Sequence, residues 1–474
     1  MHVVAARHDH VFLLPLQRLQ GLRHRTRPPA ERQHSPVVHA RQTGAGDPHD
    51  RSIDGHAGNA FGALDTYGAS APLVQITEGE GGMTPGRVAE AFATASAAQM
   101  WNVKFHIDWN QASIDSNKVC REGDKPGDYV QWDPVEFAYL HDWNVISVPK
   151  GHDFRQILAA LAVAKKRLND QPTAVVYRTT KGWQYGIEGR KSHGAGHKFC
   201  SPEYYKTLEP FEKRFGAAFP RYEGKPASTA VEKNFWDTLL VIRDVLEKNR
   251  EIAEFFGGRL EDAKRRLDEA KREKREGCPN LGAVYSAKIK SDAIPPECTY
   301  QIGSQVTLRG ALGDALNHLN KASNGAFIGA SADLLDSTSI SGLAKGFPEG
   351  LYNAITNPKA RLVATGGICE DCMGAFMAGV SAYGTNVGAG SSYGAFIAAL
   401  EHVARRWGVT KSEALRRAIR AAAQGGPAMQ SERLGAWDHL QRRMALRADQ
   451  AREWQRGVRA ERRRSSERHL RRKP

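Results

Sequence analysis

Long apolar runs are missing from this chain. No uninterrupted hydrophobic stretch reaches the about 18 residues that a membrane-spanning helix requires, which argues against that class. The opening Val11-Phe12-Leu13-Leu14-Pro15-Leu16 is too short, and too closely flanked by His and Arg, to read as a secretory signal. Cysteine is scarce: 6 residues in a chain of 474 do not make a disulfide scaffold, and a reduced cytoplasm is the expected setting. Lysine is absent from residues 1–50, which hold 7 Arg, 7 His, 4 acids and one aromatic, Phe12. Residues 426–474 hold a single Lys beside 13 Arg and 6 acids. Between those ends lie 46 basic and 42 acidic groups, so most of the net charge of +15 belongs to the ends. A nucleic-acid domain would show a basic face and a recognisable motif, and no such motif is visible.

Neither end shows steady periodicity beside clear caps. Residues 1–50 are therefore expected to be a disordered arm, and 426–474 an Arg-rich disordered tail. An alternative is that both are read in a shifted frame of GC-rich DNA, which yields Arg-rich text of this kind. The body is orderly. Over 51–225, apolar runs at Leu73–Ile76, Val103–Ile107, Val145–Val148 and Thr173–Tyr177 alternate with helical patterns at Arg87–Gln99, Pro134–Leu140 and Phe154–Leu168. That alternation predicts an α/β domain, a parallel sheet with helices on both faces. Residues 226–300 predict a charged helical connector, and 301–425 resume an α/β pattern with Gly-rich turns.

One stretch carries chemistry. In Glu78-Gly79-Glu80-Gly81-Gly82-Met83, an acidic residue stands between two glycines directly after an apolar run, and Asp108-Trp109-Asn110-Gln111 closes the next such run. Glycines leave room for a diphosphate to approach the backbone. Glu80 and Asn110 offer a carboxylate and an amide oxygen, the donors that hard cations such as Mg²⁺ and Ca²⁺ prefer. Both motifs fall where parallel sheets place their ligands, at the carboxyl ends of strands.

The text from Gly79 to Ser116, with Lys181-Gly182-Trp183 and Ser192-His193-Gly194-Ala195, resembles the transketolases, and the likeness continues through residues 301–405. The resemblance implies a thiamine-diphosphate-binding fold with two α/β domains, the second incomplete: a diphosphate domain at 51–225 and a partial pyrimidine domain at 301–425. It implies thiamine diphosphate and a divalent cation as cofactors, sugar phosphates as substrates, transfer of a two-carbon ketol unit, and a homodimer with shared sites. Glu80 falls where the family has its metal-binding Asp, Asn110 on the second ligand and the backbone carbonyl of Ala112 on the third, with Gly79 and Gly81 beside the diphosphate. His193 matches a His that assists proton transfer, a role an imidazole suits near neutral pH. Glu370, nine residues before Gly379, matches the Glu whose carboxyl bonds the cofactor's pyrimidine ring. Tyr393 and Phe396 match aromatics stacked on that ring, Asp333 a residue near the cofactor, and Arg309 and Ser337 positions that hold the sugar phosphate.

Departures accompany the likeness. Glu replaces Asp at 80, and Thr84-Pro85 stands where many members have a Glu. Asp54-Gly55-His56-Ala57-Gly58-Asn59 corresponds to a Gly-rich loop before the first family helix. Beyond about residue 405 the family's remaining pyrimidine and C-terminal segments find no counterpart. Cys369 and Cys372 form a CxxC pair with no second Cys/His pair beside it, so both read as packing residues. Three other readings stay open: a catalytically inactive transketolase fragment, a related enzyme such as a 2-oxo-acid dehydrogenase subunit, and an acidic-partner or nucleic-acid binder acting through the tail. Ser192-His193-Gly194 and the domain order favour transketolase over the dehydrogenase.

Overall fold

The computed structural model describes residues 2–4, 53–194, 197–222, 228–285 and 294–393. By its contacts the chain divides into two units, 1–42 with 47–392, and 43–46 with 393–474; of the second only Tyr393 is described. Within the first unit lie two sheets. One runs in the order β1-β4-β5-β3-β2, built from His2–Val4, Asn144–Val148, Thr173–Arg178, Val103–Trp109 and Val74–Gly79. Its strands are parallel apart from β1, which pairs antiparallel with β4 at the edge. The other has the order β7-β6-β8, from Leu362–Val363, Phe327–Ser331 and Val387–Ser391, all parallel. The expected pair of parallel α/β sheets is present.

The helices that position the site are α1 (Ile53–Tyr67), α2 (Gly86–Ala97) and α9 (Glu370–Ala382). Between them come α3 (Pro134–Leu140), α4 (Phe154–Ala164), α5 (Pro202–Phe215), α6 (Ser228–Lys248), α7 (Arg250–Ala270) and α8 (Leu308–Ala322). Local chemistry explains their starts. Asp133 accepts from the Val135 and Glu136 amides and Pro134 follows at the first helical position, so α3 begins there. The side chains of Asp153 and Thr307 open α4 and α8 in the same way.

The larger of two apolar clusters among the described residues draws on both sheets, and the smaller packs α4 on β4 and β5. Phe61 of α1 meets Tyr352 with ring centroids 4.5 Å apart and Phe376 of α9 at 6.0 Å, while Phe92 of α2 stacks on Trp143 at 4.2 Å. Burying one such ring contributes about 1.5–3 kcal/mol. The Asp54–Asn59 segment, expected to be a loop, lies wholly inside α1. Its glycines serve a helix crossing: a Cβ on Gly58 would stand 2.1 Å from the Phe376 carbonyl oxygen, and one on Gly62 2.7 Å from the Tyr383 ring. Among the described residues no helix is long and apolar enough to cross a membrane.

Polar side chains are also buried in the first sheet. His106 on β3 bridges Gln75 Oε1 at 2.6 Å and the Tyr177 hydroxyl at 2.8 Å. Burial, then the charge of Lys104, holds its pKa down to about 4, so the imidazole is neutral and structural. Lys104 is 1% exposed and donates to Thr173 Oγ1 at 3.0 Å. Burial, then the Arg167 charge, pulls the Lys104 ammonium down to about 7 from an ordinary value of 10.5. Between those two pH values the unfolded chain holds more protons at this site than the folded one, so the stability it permits rises with pH across the window. Lys104→Met is expected to raise stability at pH 7 by on the order of 1–3 kcal/mol, the lost bond to Thr173 offsetting part of the gain. Thermal unfolding at several pH values should also show a flatter rise between pH 7 and 10. A lower melting temperature at every pH would contradict this account.

Candidate functional site

The ends of β2 and β3 bring the first motif together. These strands pair in parallel with Gly79 opposite Asp108, so the turn Glu80–Met83 after β2 and the segment after Trp109 leave the sheet side by side. Glu80 is 1% exposed. Its Oε2 accepts from the Asn110 amide at 3.1 Å, while Oε1 is buried with no hydrogen-bond partner. The Asn110 side chain donates to Asp108 Oδ2 at 3.0 Å and accepts from the Ala112 amide at 2.9 Å. Three of the sequence-predicted residues, Glu80, Asn110 and Ala112, are thus one hydrogen-bonded cluster. Burial pushes the Glu80 carboxyl up to about 7, with the Asp108 charge adding to it and the Asn110 amide opposing.

These donors fit a hard cation. Among the described residues there is no group of three or more His, Cys, Asp or Glu side chains that could hold a metal. The Glu80 and Asn110 side chains supply instead one carboxylate and one amide oxygen, leaving further coordination to backbone carbonyls and a ligand's own oxygens, an arrangement hard cations accept. A buried carboxylate oxygen left without a partner costs about 1–3 kcal/mol or more, which a cation there would relieve. The glycines fit as well. A Cβ on Gly81 would meet nothing within 4 Å, and one on Gly79 only the Asp108 carbonyl oxygen at 3.8 Å. The protein's own packing does not demand glycine at either place, so the open side of the turn has room for a diphosphate.

Asp108 and Gln111, absent from the sequence-based set, support the cluster. Thr179 Oγ1 donates to Asp108 Oδ1, tying the ends of β3 and β5. Gln111, at φ +64°, donates to the Cys120 carbonyl at 2.9 Å and accepts from the Cys120 amide at 3.0 Å, which pins the following loop. Polar residues clustered just after a strand were the available signal for both.

His193 stands on the exposed segment that follows β5. Lys181 Nζ lies 3.1 Å from its Nδ1. A lysine ammonium only donates, so Nδ1 accepts and the neutral ring carries its proton on Nε2, free to be offered outward. Trp183 stacks on His152 at 4.3 Å, and His152 Nε2 accepts from the Thr180 amide at 2.7 Å, which anchors the start of this segment.

At the second sheet, Glu370 opens α9 and accepts from Ser392 Oγ at 3.2 Å, just past the end of β8. Glu90 of α2 accepts from the Cys372 amide at 3.1 Å and so caps the first turn of that helix. Cys372 is fully buried, and none of the six cysteines is in a disulfide. Asp333, at φ +58°, follows β6 and is exposed. Arg309 in the first turn of α8 and Ser337 are exposed too, and no hydrogen bond joins either to the Glu80 cluster. Tyr393 is the last described residue, and Phe396 lies outside the described residues.

Part of the chain is similar to known proteins. Residues 65–209 match the family model of the transketolase thiamine diphosphate binding domain. The chain is 25% identical over 344 residues to a transketolase of Physarum polycephalum, covering 70% of this chain and 46% of that protein. A transketolase of Halalkalibacterium halodurans is 24% identical over 312 residues, 65% of this chain and 40% of that one. A transketolase structure from Leishmania mexicana aligns at 19% identity with a TM-score of 0.48, over 74% of this chain and 48% of that one. This chain therefore spans under half the length of the curated relatives it matches. Over residues 65–209 the chain is thus similar to the thiamine diphosphate binding domain of the transketolases.

Proposed function

We propose that this chain binds thiamine diphosphate with a divalent cation, Mg²⁺ or Ca²⁺, at the carboxyl ends of β2 and β3, as part of a transketolase-type transferase. The buried Glu80 with its unpartnered Oε1, beside open room over Gly81, carries this reading. Glu80, Asn110 and the Ala112 carbonyl would hold the cation, and the turn backbone at Gly79 and Gly81 would receive the diphosphate. When bound, thiamine diphosphate supplies the nucleophilic carbon and electron sink for moving a two-carbon ketol unit between sugar phosphates. The chain's own groups do the rest. Glu370 offers a carboxyl at a helix start, fixed by Ser392, to bond a heterocycle nitrogen. His193 presents an Nε2 proton to a substrate oxygen. Asp333, Tyr393 and Phe396 are assigned to the cofactor's pyrimidine end, and Arg309 and Ser337 to the sugar phosphate, from the resemblance alone.

We further assign 51–225 to the diphosphate domain, 226–300 to the connector and 301–425 to a partial pyrimidine domain, with a homodimer and a cytoplasmic setting; six cysteines outside any disulfide suit the last. A second reading, cofactor binding without turnover, is favoured by Thr84-Pro85 standing where many members have a Glu. Isothermal calorimetry separates the cases. Thiamine diphosphate should bind only with Mg²⁺ or Ca²⁺ present, and Glu80→Ala should weaken binding by about 100-fold or more, beyond the effect of losing an outer-shell partner. Metal-independent binding, or an unaffected variant, would refute the site. Binding without ketol transfer from sugar phosphates would establish the second reading.

A further inference from the structure

Helix α7 is amphipathic and yet buries no residue along its 21 positions. Phe256, Leu260 and Leu267 are 64%, 55% and 45% exposed, and Ala253, Ala263 and Ala270 are exposed with them. Their numbers step by three and four alternately, the repeat that lines one side of a helix as a coiled-coil seam. At 1.5 Å per residue this seam is about 26 Å long. A seam of that pattern is stable in water when a second helix covers it.

The charges beside the seam say what kind of helix. Arg259 and Arg266 each precede a seam residue on one side, and Lys264 and Lys271 each follow one on the other. The acids of α7 lie away from the seam, and three of them bond basic residues of the same helix: Asp268 to Lys264 at 2.5 Å, and Asp262 and Glu269 to Arg265 at 3.0 and 3.2 Å. A second copy of this helix would set basic flank against basic flank, in parallel or antiparallel pairing alike, and like charges there disfavour the pair. We propose that the α7 seam docks an amphipathic helix of another protein whose apolar stripe is bordered by Asp and Glu.

The test uses the full chain and two labelled synthetic peptides of about three heptads, identical in their Leu/Ile seam, one flanked by Glu and the other by Lys. Fluorescence anisotropy should show the Glu-flanked peptide binding roughly tenfold more tightly or better, with affinity falling as salt rises. The double variant Arg259→Glu with Arg266→Glu should remove the preference, since two acids then face Lys264 and Lys271 across the seam. Leu260→Asp should abolish binding and leave the circular dichroism spectrum and melting temperature unchanged, because α7 contributes no buried residue to the core. Equal binding of the two peptides, or binding of neither, overturns the proposal. So does a concentration-dependent dimer in sedimentation that Leu260→Asp dissociates, since a second copy would then be the occupant.

Discussion

Asp65→Ala is expected to remove about 3–5 kcal/mol of folding stability, the usual cost of leaving a buried charge without its partner. Asp65 sits in the last turns of α1 with its side chain fully buried. Its two oxygens receive Arg361 Nη1 at 2.8 Å and Nη2 at 3.0 Å, a forked pair, together with Arg275 Nη2 at 2.7 Å and Asn386 Nδ2 at 2.8 Å. Four segments meet on that carboxylate: α1, the chain after α7, the approach to β7 and the approach to β8. Removing it strands Arg361, whose side chain is 2% exposed, in the core. A loss of this size is a large fraction of a domain's typical stability of about 5–15 kcal/mol. Urea unfolding should show a much lower midpoint for Asp65→Ala. Arg275→Met should cost less, because Arg275 is partly exposed and Asp65 keeps Arg361. A change below about 1 kcal/mol for Asp65→Ala would mean that the network is not a structural tie.

Nothing in the local sequence announces Asp65. Its partners lie 210, 296 and 321 residues away, beyond any window in which periodicity operates. The strands were legible for the opposite reason. Val145–Val148 and Thr173–Tyr177 fall in largely buried parallel strands that read as apolar runs, and in Leu73–Ile76 and Val103–Ile107 buried apolar residues outnumber the polar ones between them. The Glu80–Asn110 cluster was legible because it needs only short-range rules: a Gly-flanked acid at one strand end and an Asn at the next. Its supports, Asp108 and Gln111, were not, because their roles depend on which side chain each hydrogen bond reaches. Helix α1 was obscured by its glycines, which suggest a turn. Strand β8, Val-Gly-Ala-Gly-Ser, was obscured likewise, since glycine is depleted in strands. In both cases the glycine is where another backbone comes close: a Cβ on Gly388 would lie 2.4 Å from the Met377 carbonyl oxygen.

That close approach gives opposite expected signs to two substitutions on one helix. In α9, a Cβ on Gly379 would stand 1.9 Å from the Gly55 carbonyl oxygen and under 3 Å from two further Gly55 backbone atoms. No side chain can turn aside to make room, so the α1–α9 crossing must open, and Gly379→Ala is expected to cost about 3 kcal/mol or more. Gly374, five residues earlier on the same helix, is exposed and a Cβ there would meet nothing within 4 Å. Gly374→Ala should therefore stabilise by about 0.5–1 kcal/mol through the unfolded chain and helix propensity alone. Denaturant unfolding of the pair gives the comparison, and equal effects would contradict the crossing distance. The site feels the same constraint. The first turn of α9 holds Glu370 and receives Glu90 at the Cys372 amide, so a helix pushed off α1 carries Glu370 away from Ser392. Gly379→Ala is thus expected to weaken thiamine diphosphate binding as well as folding, whereas Gly374→Ala leaves binding intact. Calorimetry below the unfolding temperature of both variants tells the two effects apart.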